Sequence, residues 1–264
     1  MARLCPLFSG SSGNSYYIGS RDRGILIDVG RSAKQTTEML QKCGIPLSAI
    51  EGIFVTHEHS DHVKGLRVFA GRNKIPVYAS LGTLEALNDA QILDGKFPCT
   101  AIGLEGMVCA GMEIVPFHTS HDCAEGYGYL VKTADDHRVS FSTDLGVVTP
   151  EVAESMEGAD FVVVESNHDV GMLQSGPYPY PLKRRILSAK GHLSNETCAD
   201  LLPHLAGKGT TRFLLAHLSQ ENNTPELAYQ TALCSLQMAG LHLDRDFSLS
   251  VAPRENTAGR TILF

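Results

Sequence analysis

Positive charge is in short supply. The chain carries 22 lysines and arginines against 29 aspartates and glutamates, a formal net charge of -7 and a pI near 5.9. Coating nucleic acid by charge alone needs a basic face that displaces counterions, so the composition excludes that mode. An enzyme that acts on nucleic acid can still be acidic overall when metal ions and a local basic patch meet the phosphates. Paired cysteines are missing too: the 7 cysteines, at positions 5, 43, 99, 109, 123, 198 and 234, are odd in number and lack C-x-x-C spacing. That pattern fits buried thiols in a reducing compartment and not a disulfide framework. Nowhere do roughly 18 apolar residues run together, as a membrane span requires. Met1 to Pro6 leads into Ser, Gly and Asn, with no apolar signal-peptide core. The expectation is a soluble cytoplasmic protein with no membrane contact and no evident obligate protein partner. Repeats and low-complexity linkers are absent as well, and 264 residues at 43% hydrophobic content suffice for one core, so residues 1–264 are expected to form a single domain.

What is present alternates between strand and helix patterns. Ser9-Gly10-Ser11-Ser12-Gly13-Asn14 precedes two short β-type runs, Ser15 to Ile18 and Gly24 to Asp28. A phosphate-binding P-loop needs Gly-Lys-Ser/Thr opening a helix, whereas a strand follows here, so a tight turn is the preferred reading of the glycine-rich piece. Helical spacing from Ser32 to Cys43 stops at Gly44, and the apolar strand Ile50 to Val55 delivers Thr56 and His57 to its end. The spacing then predicts a helix over about 61–71, a strand over 76–79 and a helix over about 83–89, followed by strands at 113–117, 127–133 and 139–142. Further on come a helix at 150–156, a strand at 161–165, a Pro-rich connection through Pro177, Pro179 and Pro181, helices around 182–188 and 194–205, a strand at 212–216, a helix at 225–239 and a strand at 247–251. Two mixed sheets covered by outer helices, a four-layer αββα sandwich with its site at the strand ends, account for this order.

The chemistry concentrates in His57-Glu58-His59-Ser60-Asp61-His62. His57 and His59, alternate residues at a strand end, converge on one ion if the loop turns sharply, while Asp61 and His62 at the next helix start face a second. Neutral imidazole with carboxylate suits Zn²⁺, Mn²⁺ or Fe²⁺, and a mixed set without cysteine points to a catalytic site. A helix-borne zinc protease would need a second His four residues after the first, where Asp61 stands. Ser120-His121-Asp122 are sequence neighbours, whereas a serine triad is assembled from separated elements, so that mechanism is rejected.

H-x-H-x-D-H is the signature of the metallo-β-lactamase superfamily, and the chain resembles its WalJ (YycJ) branch, related to ribonuclease Z-type phosphodiesterases. Besides the His57 motif, the resemblance runs through Ser9 to Asn14, Ser120-His121-Asp122, Thr143-Asp144-Leu145-Gly146, Glu165-Ser166-Asn167-His168-Asp169, Lys183 to Ser188, Gly191-His192-Leu193-Ser194-Asn195 and Ala216-His217-Leu218-Ser219. It implies the metallo-β-lactamase fold and two divalent ions, one held by His57, His59 and a third histidine, the other by Asp61, His62 and His217, with Asp144 bridging. His118 and His121 compete for the third position, and His121 is preferred because it lies in the resembling Ser-His-Asp. Asp61 and His192 are the expected catalytic residues, His192 steering a phosphate or protonating a leaving oxygen; the alternative is an exposed His192 before a helix that Ser194 or Asn195 caps. Glu165, Asn167, His168 and Asp169 are expected to lie near the site and orient its ligands. Lys183, Arg184 and Arg185, beside Tyr178 and Tyr180, with Ser194, Asn195 and His168, are candidate substrate contacts.

Two ions about 3.5 to 4 Å apart can share a hydroxide that attacks a phosphodiester in line. The resemblance implies a 5′ to 3′ DNA exonuclease with a role in repair. A ribonuclease or a small-molecule phosphodiesterase of the same fold is the alternative, because this fold hosts many hydrolases.

Overall fold

The computed structural model describes residues 1–264. Its strands are β1 (Arg3–Phe8), β2 (Ser15–Gly19), β3 (Gly24–Ile27), β4 (Ile50–Phe54), β5 (Val77–Ala79), β6 (Cys99–Ala101), β7 (Met107–Cys109), β8 (Met112–His118), β9 (Tyr127–Lys132), β10 (Arg138–Ser142), β11 (Phe161–Glu165), β12 (Arg212–Ala216), β13 (Ser248–Val251) and β14 (Ile262–Leu263). The helices are α1 (Ala33–Lys42), α2 (Ser60–Val63), α3 (Leu66–Asn73), α4 (Leu81–Asp89), α5 (Pro150–Met156), α6 (Val170–Ser175), α7 (Tyr180–Ile186), α8 (Asn195–Gly207) and α9 (Pro225–Met238). Contacts divide the chain into two compact units, one of Met1–Pro116, Cys123–His137 and Pro253–Phe264, the other of Phe117–Asp122 and Arg138–Ala252. No helix is long and apolar enough to cross a membrane, and all seven cysteines are free thiols.

The first unit holds a seven-stranded sheet in the order β14-β1-β2-β3-β4-β5-β6. Antiparallel pairing of β1, β2 and β3 gives way to parallel pairing from β3 to β6. Helix α1 begins where Ser32 accepts a hydrogen bond from the Gln35 N–H, and buries Ala33, Thr36, Met39 and Leu40 at helical spacing. It stops at Cys43, because Gly44 takes a left-handed φ of 67° that glycine adopts at no steric cost. The core against it includes Leu26, Val29, Ile53, Val55, Phe69 and Val77.

In the second unit, β10, β11, β12 and β13 pair in that order, all parallel. Parallel strands are covered on both faces and so read as continuous apolar runs, which is why Phe161-Val162-Val163-Val164 and Phe213-Leu214-Leu215-Ala216 are fully buried. Polar residues resume at the carboxyl ends: Thr143 and Asp144 after β10, Ser166 and Asn167 after β11, and His217 after β12.

Three local readings change. The helix expected over 61–71 is two helices, α2 and α3, parted at Gly65, whose N–H is drawn to the Val29 carbonyl at 2.9 Å and whose added Cβ would sit 1.9 Å from the Arg31 carbonyl. Residues 3–8, where the spacing predicts no strand, form β1; the pairing is interrupted by a bulge between Pro6 and Phe8, where a proline cannot donate. Residues 170–175, where the spacing predicts no helix, form α6, with Asp169 accepting from the Met172 N–H at 2.7 Å.

The loop Ser9 to Asn14, the end of β3 and helix α2 are stitched by backbone bonds: Asn14 N–H to Asp61 O at 2.7 Å, Gly30 N–H to Asn14 O at 2.8 Å and Val29 N–H to His62 O at 2.8 Å. A Cβ at Gly30 would fall 1.7 Å from the Asp61 carbonyl oxygen and 2.4 Å from the Asn14 nitrogen. Gly30→Ala is therefore expected to lower stability by about 3 kcal/mol or more, since rigid backbone must move. Gly207→Ala, at the end of α8 with no atom within 4 Å of the new Cβ, should instead gain roughly 0.5 kcal/mol. Urea midpoints of the two variants check this opposition.

Candidate metal centre

In the first unit the ligand-type residues leave the carboxyl ends of β3 and β4. His57 and His62 are buried, with ring centroids 4.1 Å apart, and His59 is partly exposed at the turn into α2. His57 Nε2 and His59 Nδ1 lie 3.1 Å apart. Two nitrogens on one tetrahedral zinc, at about 2.05 Å each, are about 3.3 Å apart, so this convergence fits a shared ion. His62 Nε2 faces Asp61 Oδ2 at 3.5 Å, and Asn14 Nδ2 approaches both, at 3.1 and 3.3 Å.

What aims these rings is Asp28, a fully buried carboxylate at the end of β3. It accepts from the Thr56 N–H and Oγ1–H, each at 2.8 Å, and meets His62 Nδ1 at 2.7 Å. That contact places the Nδ1 proton toward Asp28 and makes Nε2 the nitrogen that would bind metal. Burial pushes the Asp28 carboxyl up, and its contacts with His62 and Thr56 offset this only in part. Asp28 did not emerge as a site residue from the sequence, although a lone carboxylate ending Ile25-Leu26-Ile27 was the available signal. Glu58, inside the motif, accepts from the Ala124 N–H at 2.8 Å and so braces the loop; Ser60 is exposed as the first residue of α2.

In the second unit Asp144, Glu165, His192 and His217 bring one ligand atom each within 4.8 Å of one another. Glu165 Oε1 contacts His192 Nδ1 at 2.7 Å and His217 Nδ1 at 3.0 Å, while Oε2 accepts from the Leu145 and Leu193 N–H groups at 2.8 and 3.1 Å. Burial alone would raise the Glu165 carboxyl, but the two imidazoles outweigh it and hold it at about 2. His192 moves the other way: burial opposes its protonation, yet Glu165 and Asp144 carry it above the ordinary histidine value. Asp144 Oδ1 lies 3.2 Å from His217 Nδ1.

His121 belongs to the same unit and is buried, with Nδ1 on the Gly191 carbonyl at 3.0 Å and Nε2 3.7 Å from Asp144 Oδ1. Burial lowers its pKa despite Asp144. The competing His118 is half-buried, its backbone N–H and Nδ1 both on Glu151 Oε1 at 2.8 and 3.2 Å.

Several expected substrate contacts are engaged elsewhere. Asn195 is 1% exposed; its carbonyl accepts from Ser166 Oγ at 2.7 Å and from Asn223 Nδ2 at 2.9 Å, and its amide donates to Asn223 Oδ1 at 2.9 Å. Asn223 also donates to the Ser166 and Asn167 carbonyls, and Asn167 donates to the His217 carbonyl at 2.8 Å. Asn195 is thus part of the frame behind His217. His168, 1% exposed, is inside the unit with its carbonyl on the Asn195 N–H, which likewise withdraws it from the surface. Ser194 caps α8 by accepting from the Thr197 N–H at 3.1 Å. Lys183 donates to the Gln174 and Gly176 carbonyls, both at 2.7 Å, and Arg185 forms a two-pronged pair with Asp122, so only Arg184, stacked 6.0 Å from the Tyr180 ring, presents its charge outward without such a tie.

Asp28→Asn tests the orienting role. An amide facing His62 Nδ1 would donate to it and move the ring proton to Nε2, so metal affinity should fall about 10- to 100-fold. Chelator competition reads this out, and affinity equal to wild type would remove Asp28 from the site.

The pattern of the family described as Beta-lactamase superfamily domain matches residues 23–218, a span that takes in every candidate ligand from Asp28 to His217. The chain is 36% identical over 248 residues to Exodeoxyribonuclease YycJ of Bacillus anthracis, covering 92% of each. It is 37% identical over 247 residues to Exodeoxyribonuclease WalJ of Streptococcus pneumoniae, covering 92% of this chain and 91% of that one. Zn²⁺-bound PqqB from Methylobacterium extorquens shares the fold, with a TM-score of 0.74 at 16% identity over 99% of this chain and 100% of that one. The two mixed sheets flanked by helices are those of the metallo-β-lactamase fold, and the chain belongs to the β-lactamase superfamily.

Proposed function

We propose that the protein is a metal-dependent 5′ to 3′ exodeoxyribonuclease that works in the cytoplasm as a single domain, with a role in DNA repair. The observation that carries the hydrolase part is the buried cluster of Asp144, Glu165, His192 and His217, in which one ionised carboxylate fixes two imidazoles. The step to DNA rests on the likeness to two proteins named exodeoxyribonucleases along 92% of the chain.

Two divalent ions, Zn²⁺ or Mn²⁺, suit the donor set of imidazole and carboxylate without thiolate. His57, His59 and His121 would hold one, Asp61, His62 and His217 the other, with Asp144 shared; this pairing follows the superfamily's ligand order, and the convergence of His57 with His59 and of Asp61 with His62 supports it. Bound ions would activate water and offset phosphate charge. The protein's own part is to fix the ligands and move a proton. Glu165 holds His192 by Nδ1 and favours its protonated form, and the side chain is 13% exposed, so the Nε2–H of that form is the donor for a leaving oxygen. Asp61, 22% exposed at its side chain beside His62 Nε2, would orient the attacking water.

Purified protein with Mn²⁺ or Zn²⁺ should release mononucleotides from 5′-phosphorylated duplex DNA and lose that activity in EDTA. Cleavage confined to RNA or to bis(p-nitrophenyl) phosphate would overturn the DNA assignment. Asp144→Ala should cut turnover about a thousandfold or more and lower metal content. His192→Ala should cut kcat by about 10² to 10⁴ with metal content unchanged, as expected for a lost general acid; an unaltered kcat would exclude that role.

A further inference from the structure

Arg31 is a cation that the ligand set does not use. Its Nη2 donates to Ser12 Oγ at 2.9 Å, and its Cζ lies 5.6 Å from the centre of the Phe8 ring. No carboxylate stands within ion-pair distance, so none of these contacts neutralises its charge. The stem lies flat on Gly13: a Cβ there would come within 2.7 Å of Arg31 Cδ and 2.8 Å of Cγ. The next residue in the loop is Asn14, whose Nδ2 reaches Asp61 Oδ2 and His62 Nε2. A guanidinium is therefore fixed, without a counter-ion, one loop residue from the ligand cluster of the first unit, in a chain of net charge -7.

We propose that Arg31 and Ser12 form a clamp for a backbone phosphate of the strand being cleaved. The proposal rests on the nuclease reading and adds to it the residues that hold the strand beside the metal ligands. A planar guanidinium presents paired N–H donors that match two phosphate oxygens, and a partly desolvated cation gains most from an anion where none is built in. The serine hydroxyl orients the fork. The glycine-rich loop then serves phosphate through the arginine laid across it, not through its own backbone as in a P-loop. An arginine that only braced the loop would do so equally well without its charge, and that difference is measurable.

The test is binding of a 5′-phosphorylated duplex oligonucleotide by fluorescence anisotropy over a series of KCl concentrations, together with KM, kcat, metal content and thermal midpoint. Arg31→Gln should weaken binding about tenfold or more and flatten the slope of log K against log salt by about 0.9, the loss of one phosphate contact. KM should rise more than kcat falls, at unchanged metal content. Arg31→Lys keeps the charge and should keep the slope while KM rises severalfold; Ser12→Ala should act in the same direction. Should Arg31→Gln fail to fold, the last two variants decide. Wild-type affinity and slope in Arg31→Gln, or wild-type KM in both Arg31→Lys and Ser12→Ala, would overturn the clamp while the nuclease assignment stands. A wild-type protein that cleaves only small phosphodiesters and shows no salt-dependent DNA binding would overturn both.

Discussion

A buried carboxylate must be paid for with donors, and the placement of Glu165 and Asp28 organises everything around them. Both are fully buried. An unpaired charge in such surroundings would cost several kcal/mol, so the fold directs donors onto each. Glu165 collects two imidazoles and two backbone N–H groups; Asp28 collects one imidazole, a hydroxyl and a backbone N–H. In each case the carboxylate takes the Nδ1 side of a histidine and turns Nε2 away. The same interaction that makes burial tolerable therefore selects the ring nitrogen that would meet a metal or a substrate. Geometry and protonation are set together, within each unit, by one side chain.

That arrangement explains what the sequence did and did not disclose. Strands such as Phe161 to Glu165 and Arg212 to Ala216 are legible because parallel strands buried on both faces read as unbroken apolar runs. Ligand-type residues are legible when they crowd together, as from His57 to His62, or end an apolar strand, as His217 does. Asp28 escapes because its partner His62 lies 34 residues away, and its one local signal, a carboxylate ending an apolar strand, fits an ordinary turn aspartate equally well. Asn223 escapes for the same reason: its value lies in bonds to Ser166, Asn167 and Asn195, residues 28 to 57 positions distant.

Charge along the chain is legible in a different way. Lys183, Arg184 and Arg185 read as a basic patch because charge is visible in sequence and its neutralisation is not. Asp122, 63 residues from Arg185, and two nearby carbonyls at Lys183 take up most of that charge. Arg31 shows the reverse, a solitary cation with no clustering to mark it, whose importance lies in the missing counter-ion. Counting charges along the chain does not separate these two cases, because an anion responds to uncompensated charge held in place.

The backbone carries a further mark of the same priorities. Asp28, Asp144 and His217 hold left-handed conformations, with φ of 60°, 60° and 54°, each just past the end of a strand. A residue with a Cβ is disfavoured there by about 1 kcal/mol, and relaxation to an extended conformation would continue the strand and point the side chain elsewhere. Turning the chain sharply at these positions sends carboxylate and imidazole back over the strand ends. The turn at His217 is fixed by its carbonyl on Asn167 Nδ2, and Asn167 is in turn fixed by Asn223. Glycine would adopt these backbone angles without strain but would supply no ligand atom. The chain keeps aspartate and histidine, and the surrounding hydrogen bonds hold them in the disfavoured geometry, as expected where side-chain placement outranks local backbone preference.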